Sequence, residues 1–151
     1  MWGSPIRRVG RFLATLSMLA AAFSAVLASE SDRPRFGVSL VTDKPVYAGG
    51  EPVHMSFEVS NLGATVVTLQ FMSAQRFDMA IEDEAGRDVW RWSAGRMFAA
   101  VLGEEVLHSD SPRLAYEAIF SGVLDPGAYR IRAWITEGSG DFSATLGIQV
   151  Q

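Results

Sequence analysis

From residue 36 to the end of the chain, apolar and polar side chains alternate with a period of two. Val53, Met55, Phe57 and Val59 alternate with His54, Ser56, Glu58 and Ser60. The same rule places Phe36, Val38 and Leu40 on one face, as it does Phe77, Met79 and Ile81. It also aligns Tyr129, Ile131, Ala133 and Ile135, and then Phe142, Ala144, Leu146, Ile148 and Val150. Residues 65–71 and 114–120 follow it less cleanly. Such alternation belongs to strands with one buried face, and no long segment keeps the 3.6-residue spacing of a helix. Turn residues separate the runs: Asp43-Lys44-Pro45, Gly49-Gly50, Asn61-Leu62-Gly63, Asp125-Pro126-Gly127 and Gly138-Ser139-Gly140. Asp83-Glu84-Ala85-Gly86 joins 76–82 to 88–92 as a hairpin. Short strands at this spacing predict an all-β chain, an immunoglobulin-like antiparallel β-sandwich of about seven to nine strands.

The N-terminus reads differently. Residues 1–11 carry Arg7, Arg8 and Arg11 without an acid, and 12–28 are apolar or small, ending in Val26-Leu27-Ala28 before polar Ser29-Glu30-Ser31-Asp32. That order is the order of a secretory signal peptide. The expected organisation is a signal peptide over 1–28, a short linker over 29–34 and the sandwich over 35–151, with the mature protein periplasmic or extracellular. If the segment stays uncleaved, 12–28 is a membrane anchor, the one membrane link expected. Removing 1–28 leaves ten basic against 17 acidic side chains, a net charge of −7. Nucleic acid and anionic lipid reward cationic patches, so neither is expected as a partner. The chain has no cysteine, so neither disulfides nor a lipoprotein anchor are available and stability must come from the core.

Reactive groups are sparse. The two histidines are His54, on an outward strand position, and His108, in a polar turn beside Ser109 and Asp110; a set of this kind can be assembled from almost any chain, so no catalytic triad is expected. Glu104, Glu105, His108 and Asp110 are close in sequence but lack the spacing of a metal site. No catalytic, cofactor or metal residue is expected, and the chain is read as a non-enzyme. Trp90 and Trp92 share a side of one strand, and at least one is expected to anchor the core. Asp78 and Arg91 are expected to form an exposed cross-strand ion pair contributing at most about 1 kcal/mol. Trp134 is expected outward, stacked with Arg130 and Arg132. Residues 93–103 form a link rich in apolar side chains. It is expected either to turn once as a helix around 97–102, or to pack Met97, Phe98 and Leu102 onto the sandwich, the alternative being a tip offered to a partner.

The string Gln75-Arg76-Phe77-Asp78, then Asp83 and Gly86, Val89-Trp90-Arg91-Trp92-Ser93, Gly95-Arg96-Met97-Phe98 and Leu102-Gly103-Glu104-Glu105 resembles the BsuPI-type intracellular proteinase inhibitor domain. Phe57, Val59 and Asn61, and the turn from Leu124 to Tyr129, fit its flanks, so the resemblance spans roughly residues 50–137. It implies a small all-β domain named for inhibiting a cytoplasmic serine proteinase. The export signal departs from that name and moves the expected target outside the cytoplasm. The expected function is an exported protein-binding domain, a proteinase inhibitor acting through the 93–103 link. Arg96, Met97 and Phe98 are nominated as inserted side chains, and Trp92, Arg91 and Trp134 as further contact residues. The competing expectation is a structural or adhesion module of the cell envelope with no proteinase target.

Overall fold

A computed structural model describes residues 35–109, 113–138 and 142–151, all within one compact unit spanning Pro34–Gln151. The signal peptide expected over 1–28 and the linker expected over 29–34 lie outside the described residues. Among the described residues ten strands form: β1 (Phe36–Thr42), β2 (Val46–Tyr47), β3 (Val53–Asn61), β4 (Val67–Phe71), β5 (Phe77–Glu82), β6 (Asp88–Arg91), β7 (Gly103–Leu107), β8 (Leu114–Phe120), β9 (Gly127–Ile135) and β10 (Ser143–Val150). They build a three-stranded sheet β1-β3-β8, a five-stranded sheet β2-β10-β9-β5-β6 and a two-stranded sheet β4-β7. Every pairing is antiparallel except β2 on β10. This is the expected immunoglobulin-like sandwich, with ten strands instead of seven to nine. The additions are β2, a two-residue strand too short to show alternation, and β7, whose adjacent Glu104 and Glu105 hide it.

The inward sets match the alternation. Val53, Phe57 and Val59 of β3 meet Met79 and Ile81 of β5 and Ile131 and Ala133 of β9 in a core with essentially no solvent exposure. Leu69, Phe71 and Leu107 of the small sheet join the same core. Tyr129 donates its hydroxyl to the Asp125 carbonyl at 3.0 Å, the tyrosine corner found at the equivalent strand of immunoglobulin-like domains. Asn61 is buried at the end of β3. Its Nδ2 donates to the carbonyls of Thr65 (2.7 Å) and Leu107 (2.9 Å), which fastens the β3–β4 connection to β7.

β5 lies between β9 and β6, and all six of its residues are buried. Its outward face, Asp78, Ala80 and Glu82, is roofed by arginines. Glu82 accepts from Arg130 Nε at 2.8 Å and Arg132 Nε at 2.7 Å. Trp134 lies between the guanidiniums of Arg132 (4.4 Å) and Arg91 (5.1 Å). Trp134 is therefore outward, as expected, but its second stacking partner is Arg91 of β6 and not Arg130, which turns to Glu82 instead.

Hydrogen bonds from Arg130, then from Arg132, hold the Glu82 carboxyl below its ordinary value of 4.5. The roof is a single layer of guanidinium in contact with water, so solvent still screens these pairs. A depressed folded-state value favours the carboxylate. Its contribution to stability is complete above the ordinary value and is lost as pH falls through the lowered one. Thermal melts from pH 7 to pH 2 should be nearly flat down to about pH 5 and then decline, and Glu82→Gln should make that decline shallower. An unchanged acid slope in Glu82→Gln would show that other carboxylates account for it.

Candidate protein-contact site

The link between β6 and β7 is built outward from a buried carboxylate. Asp78 is fully buried. It accepts from Arg91 Nε at 2.7 Å, from Ser93 Oγ at 2.6 Å and from the backbone N–H groups of Ser93 (3.1 Å) and Met79 (3.0 Å). The expected Asp78–Arg91 pair thus forms, but as a corrected kind of interaction: the carboxylate is enclosed and quadruply bonded, not exposed. Trp92 N–H donates to the Met79 carbonyl at 2.8 Å and continues the β5–β6 ladder one residue past the strand. At Ser93 the chain leaves the sheet already fixed.

A tight turn follows. Arg96 N–H donates to the Ser93 carbonyl at 3.0 Å, and Gly95 takes a φ of 74°, a left-handed conformation that costs glycine little. The turn folds Arg96 back so that its guanidinium sits 4.2 Å from the Trp92 ring and its Nε donates to the Trp92 carbonyl at 2.7 Å. Phe98 returns to the same indole, 5.8 Å between centroids. Met97, between these two clamped neighbours, is 97% exposed. The link then runs on without regular structure, pinned where Ala74 N–H donates to the Ala99 carbonyl at 2.9 Å. No helical turn forms at 97–102. Phe98 packs down as expected, whereas Met97 and Leu102 do not.

The far end of the link is anchored through Arg76. Its guanidinium lies 4.6 Å from the Phe71 ring, donates from Nε to Glu105 at 3.1 Å and from Nη1 to the Ser73 carbonyl at 2.7 Å. It occupies the space beside Gly103, where a Cβ would stand 2.2 Å from Nη2. Glycine at 103 therefore makes room for the arginine. Glu105 faces Arg76 while Glu104 faces Gln70 on the other side of β7, so the adjacent acids diverge. Asp110, grouped with them in the sequence, lies outside the described residues. Among the described residues no cluster of three or more potential metal ligands occurs.

One exposed apolar side chain, Met72, escapes notice in the sequence. Phe71 pairs with Gly103, and the Ala74–Ala99 bond closes the same two segments further on. Met72 (79% exposed) is thereby set against Leu102 (71%), with Val101 also exposed. On the other flank of Trp92 and Arg96 opens a groove of about 650 Å³, with Asp43, His54, Glu117 and Ile119 in its walls.

Beneath the link lies an aromatic column. Trp92 stacks on Phe77 (4.2 Å), Phe77 on Tyr116 (4.5 Å), and Tyr116 approaches Phe57 (6.5 Å) in the core. Burial, with Glu105 adding to it, pushes the Tyr116 hydroxyl up to about 12. Trp90 touches Phe120 edge-on at 5.8 Å. Both tryptophans are half-buried, Trp90 on the edge strand β6 and Trp92 just past its end, packed against the core and not enclosed by it. Of the six nominated contact residues, Trp92, Arg96, Met97 and Phe98 come together at the link. Arg91 and Trp134 belong to the ion-paired outer face of the five-stranded sheet.

No curated protein matches the chain. Among solved structures, a cycloisomaltooligosaccharide glucanotransferase from Paenibacillus sp. aligns with TM-score 0.50 and 16% identity over 79% of this chain and 14% of that one. A CARDB domain of a Pyrococcus furiosus protein aligns with TM-score 0.45 and 15% identity over 78% of this chain and 89% of that one. A Listeria innocua beta-glucosidase aligns with TM-score 0.46 and 11% identity over 78% and 16%. The chain thus spans about a sixth or less of either carbohydrate-active enzyme, and at these identities the likeness concerns the fold alone. Residues 40–140 match the family model described as BsuPI, intracellular proteinase inhibitor, and the chain belongs to that family.

Proposed function

We propose that this chain is an exported inhibitor of a serine proteinase, working by insertion of the 93–103 link into the enzyme's cleft. The observation that carries the reading is Met97. An unbranched apolar side chain stands 97% exposed just past a tight turn, and its flanking residues, Arg96 and Phe98, are both clamped on Trp92. Ordering a loop before binding removes much of the entropic cost of association, and a preorganised segment with one projecting side chain suits a cleft with a specificity pocket. The side chain offered is apolar, so the pocket addressed is apolar too. Arg96, nominated as an inserted residue, serves in this reading as a brace. Arg91 and Trp134 hold the scaffold.

The family is named for proteinase inhibition, which supports action by contact rather than by turnover. Export rests on the sequence of residues 1–28 alone, and residues 12–28 are the one route to a membrane. The test is to assay the protein against a panel of serine proteinases, wild type beside Met97→Asp. A charge entering an apolar pocket should weaken inhibition by roughly 100-fold or more. The melting temperature should move by less than about 2 °C, since exposed substitutions seldom shift stability by more than about 0.5 kcal/mol. Equal inhibition by both proteins would remove Met97 from the contact. If the wild type slows no proteinase, the envelope adhesion module becomes the better reading.

A further inference from the structure

We propose that Met97 is an oxidation site whose sulfoxide switches the contact surface off, an inference that rests on the link's proposed role in binding. The four methionines among the described residues fall into two classes. Met55 and Met79 are 2% and 0% exposed in the core, whereas Met72 and Met97 are 79% and 97% exposed. A thioether reacts with a peroxide in proportion to its access to solvent. The chain has no cysteine to compete for the oxidant. The sulfur lone pair attacks one peroxide oxygen, the O–O bond breaks and a sulfur–oxygen bond forms. Sulfur loses two electrons, and the peroxide, reduced by two, leaves as water or alcohol.

The product is polar, chiral and larger at the sulfur, so it enters an apolar pocket poorly. Nothing in the fold opposes the change, because the neighbours clamped on Trp92 are Arg96 and Phe98 and the methionine between them is free. Oxidation should therefore remove binding while leaving the domain folded. A methionine sulfoxide reductase would restore the thioether and the binding.

The experiment treats the folded protein with hydrogen peroxide and maps each methionine by peptide mass, with Met55 and Met79 as internal standards. Proteinase inhibition is read before and after treatment, and again after the reductase. Met97 and Met72 should gain oxygen well before the buried pair, with the melting temperature retained. Inhibition should fall roughly tenfold or more and return on reduction. In Met97→Leu, whatever its own starting potency, the ratio of treated to untreated inhibition should be near one, whereas Met72→Leu should keep the wild-type sensitivity. Undiminished inhibition by protein fully oxidised at Met97 would overturn the switch and leave the proposed function standing. So would equal sensitivity of Met97→Leu and wild type. An untreated protein that inhibits nothing would overturn the proposed function and the switch with it.

Discussion

Replacing Asp78 by alanine is expected to lower the melting temperature by about 10–20 °C, corresponding to a loss of roughly 3–5 kcal/mol. The carboxylate is fully enclosed and satisfies four donors on three residues, Arg91, Ser93 and Met79. Removing it strands the backbone N–H groups of Ser93 and Met79 and the Ser93 hydroxyl in a site where water has little access. A buried donor left unpaired costs about 1–3 kcal/mol, far more than the net contribution of an intact hydrogen bond. Arg91 also loses its nearest counter-charge, although Asp88 at 3.9 Å remains. Ser93→Ala, which removes one donor and strands none, should cost only about 1 kcal/mol. Urea or thermal unfolding of the two variants measures the contrast. A loss below about 1 kcal/mol for Asp78→Ala would mean that water replaces the carboxylate, and the site would not be the anchor of the link.

The difference between an exposed ion pair and this enclosed hub marks the limit of what alternation encodes. A period of two states which face of a strand a residue occupies, and it placed Asp78 and Glu82 correctly on the outer face of β5. It does not state what covers that face. The cover comes from Arg91, Arg130, Arg132 and Trp134, on strands distant from Asp78 and Glu82 in the sequence, and only the register of β6 and β9 against β5 brings them over it. β7 was hidden for a related reason. Glu105 faces the protein and breaks the expected alternation, because Arg76 is there to pair with it and Gly103 leaves room for Arg76.

The link shows a second limit. Apolar composition suits both a loop that packs and a loop that binds, and residues 93–103 do both at adjacent positions. Phe98 returns to Trp92. Met97 does not, because its neighbours Arg96 and Phe98 both turn to Trp92 and leave it facing solvent just past the Ser93–Arg96 turn. Backbone direction separates the two roles, and hydrophobicity does not. Met72 was missed because it sits just past the end of β4, and its relevance appears only through the pairing of Phe71 with Gly103. A cross-segment apolar pair of this kind leaves no local pattern to read.

Phe77→Ala should match the loss at Asp78 and reach further into the link. Phe77 is the middle ring of the column that joins Phe57 and Tyr116 in the sandwich to Trp92 beneath Met97. Truncating a buried phenylalanine removes its transfer free energy and leaves a cavity, together costing about 3–5 kcal/mol. The cavity here would open between Trp92 and Tyr116, so neither ring keeps its contact face. Water admitted to that space should bring the Tyr116 hydroxyl, now pushed up to about 12 by burial, back toward its ordinary value of 10. Ultraviolet titration against a Tyr116→Phe control reads that change directly. Phe77→Leu separates packing from stacking: it keeps most of the volume and should cost less than about 1.5 kcal/mol, yet it withdraws the flat surface on which the indole rests. In that variant the domain stays folded while Trp92, and with it the brace formed by Arg96 and Phe98, loses its floor. Inhibition should therefore weaken by roughly 3–10-fold in Phe77→Leu with only a small fall in melting temperature. Wild-type inhibition by Phe77→Leu would break the connection drawn here between the aromatic core and the poise of the link.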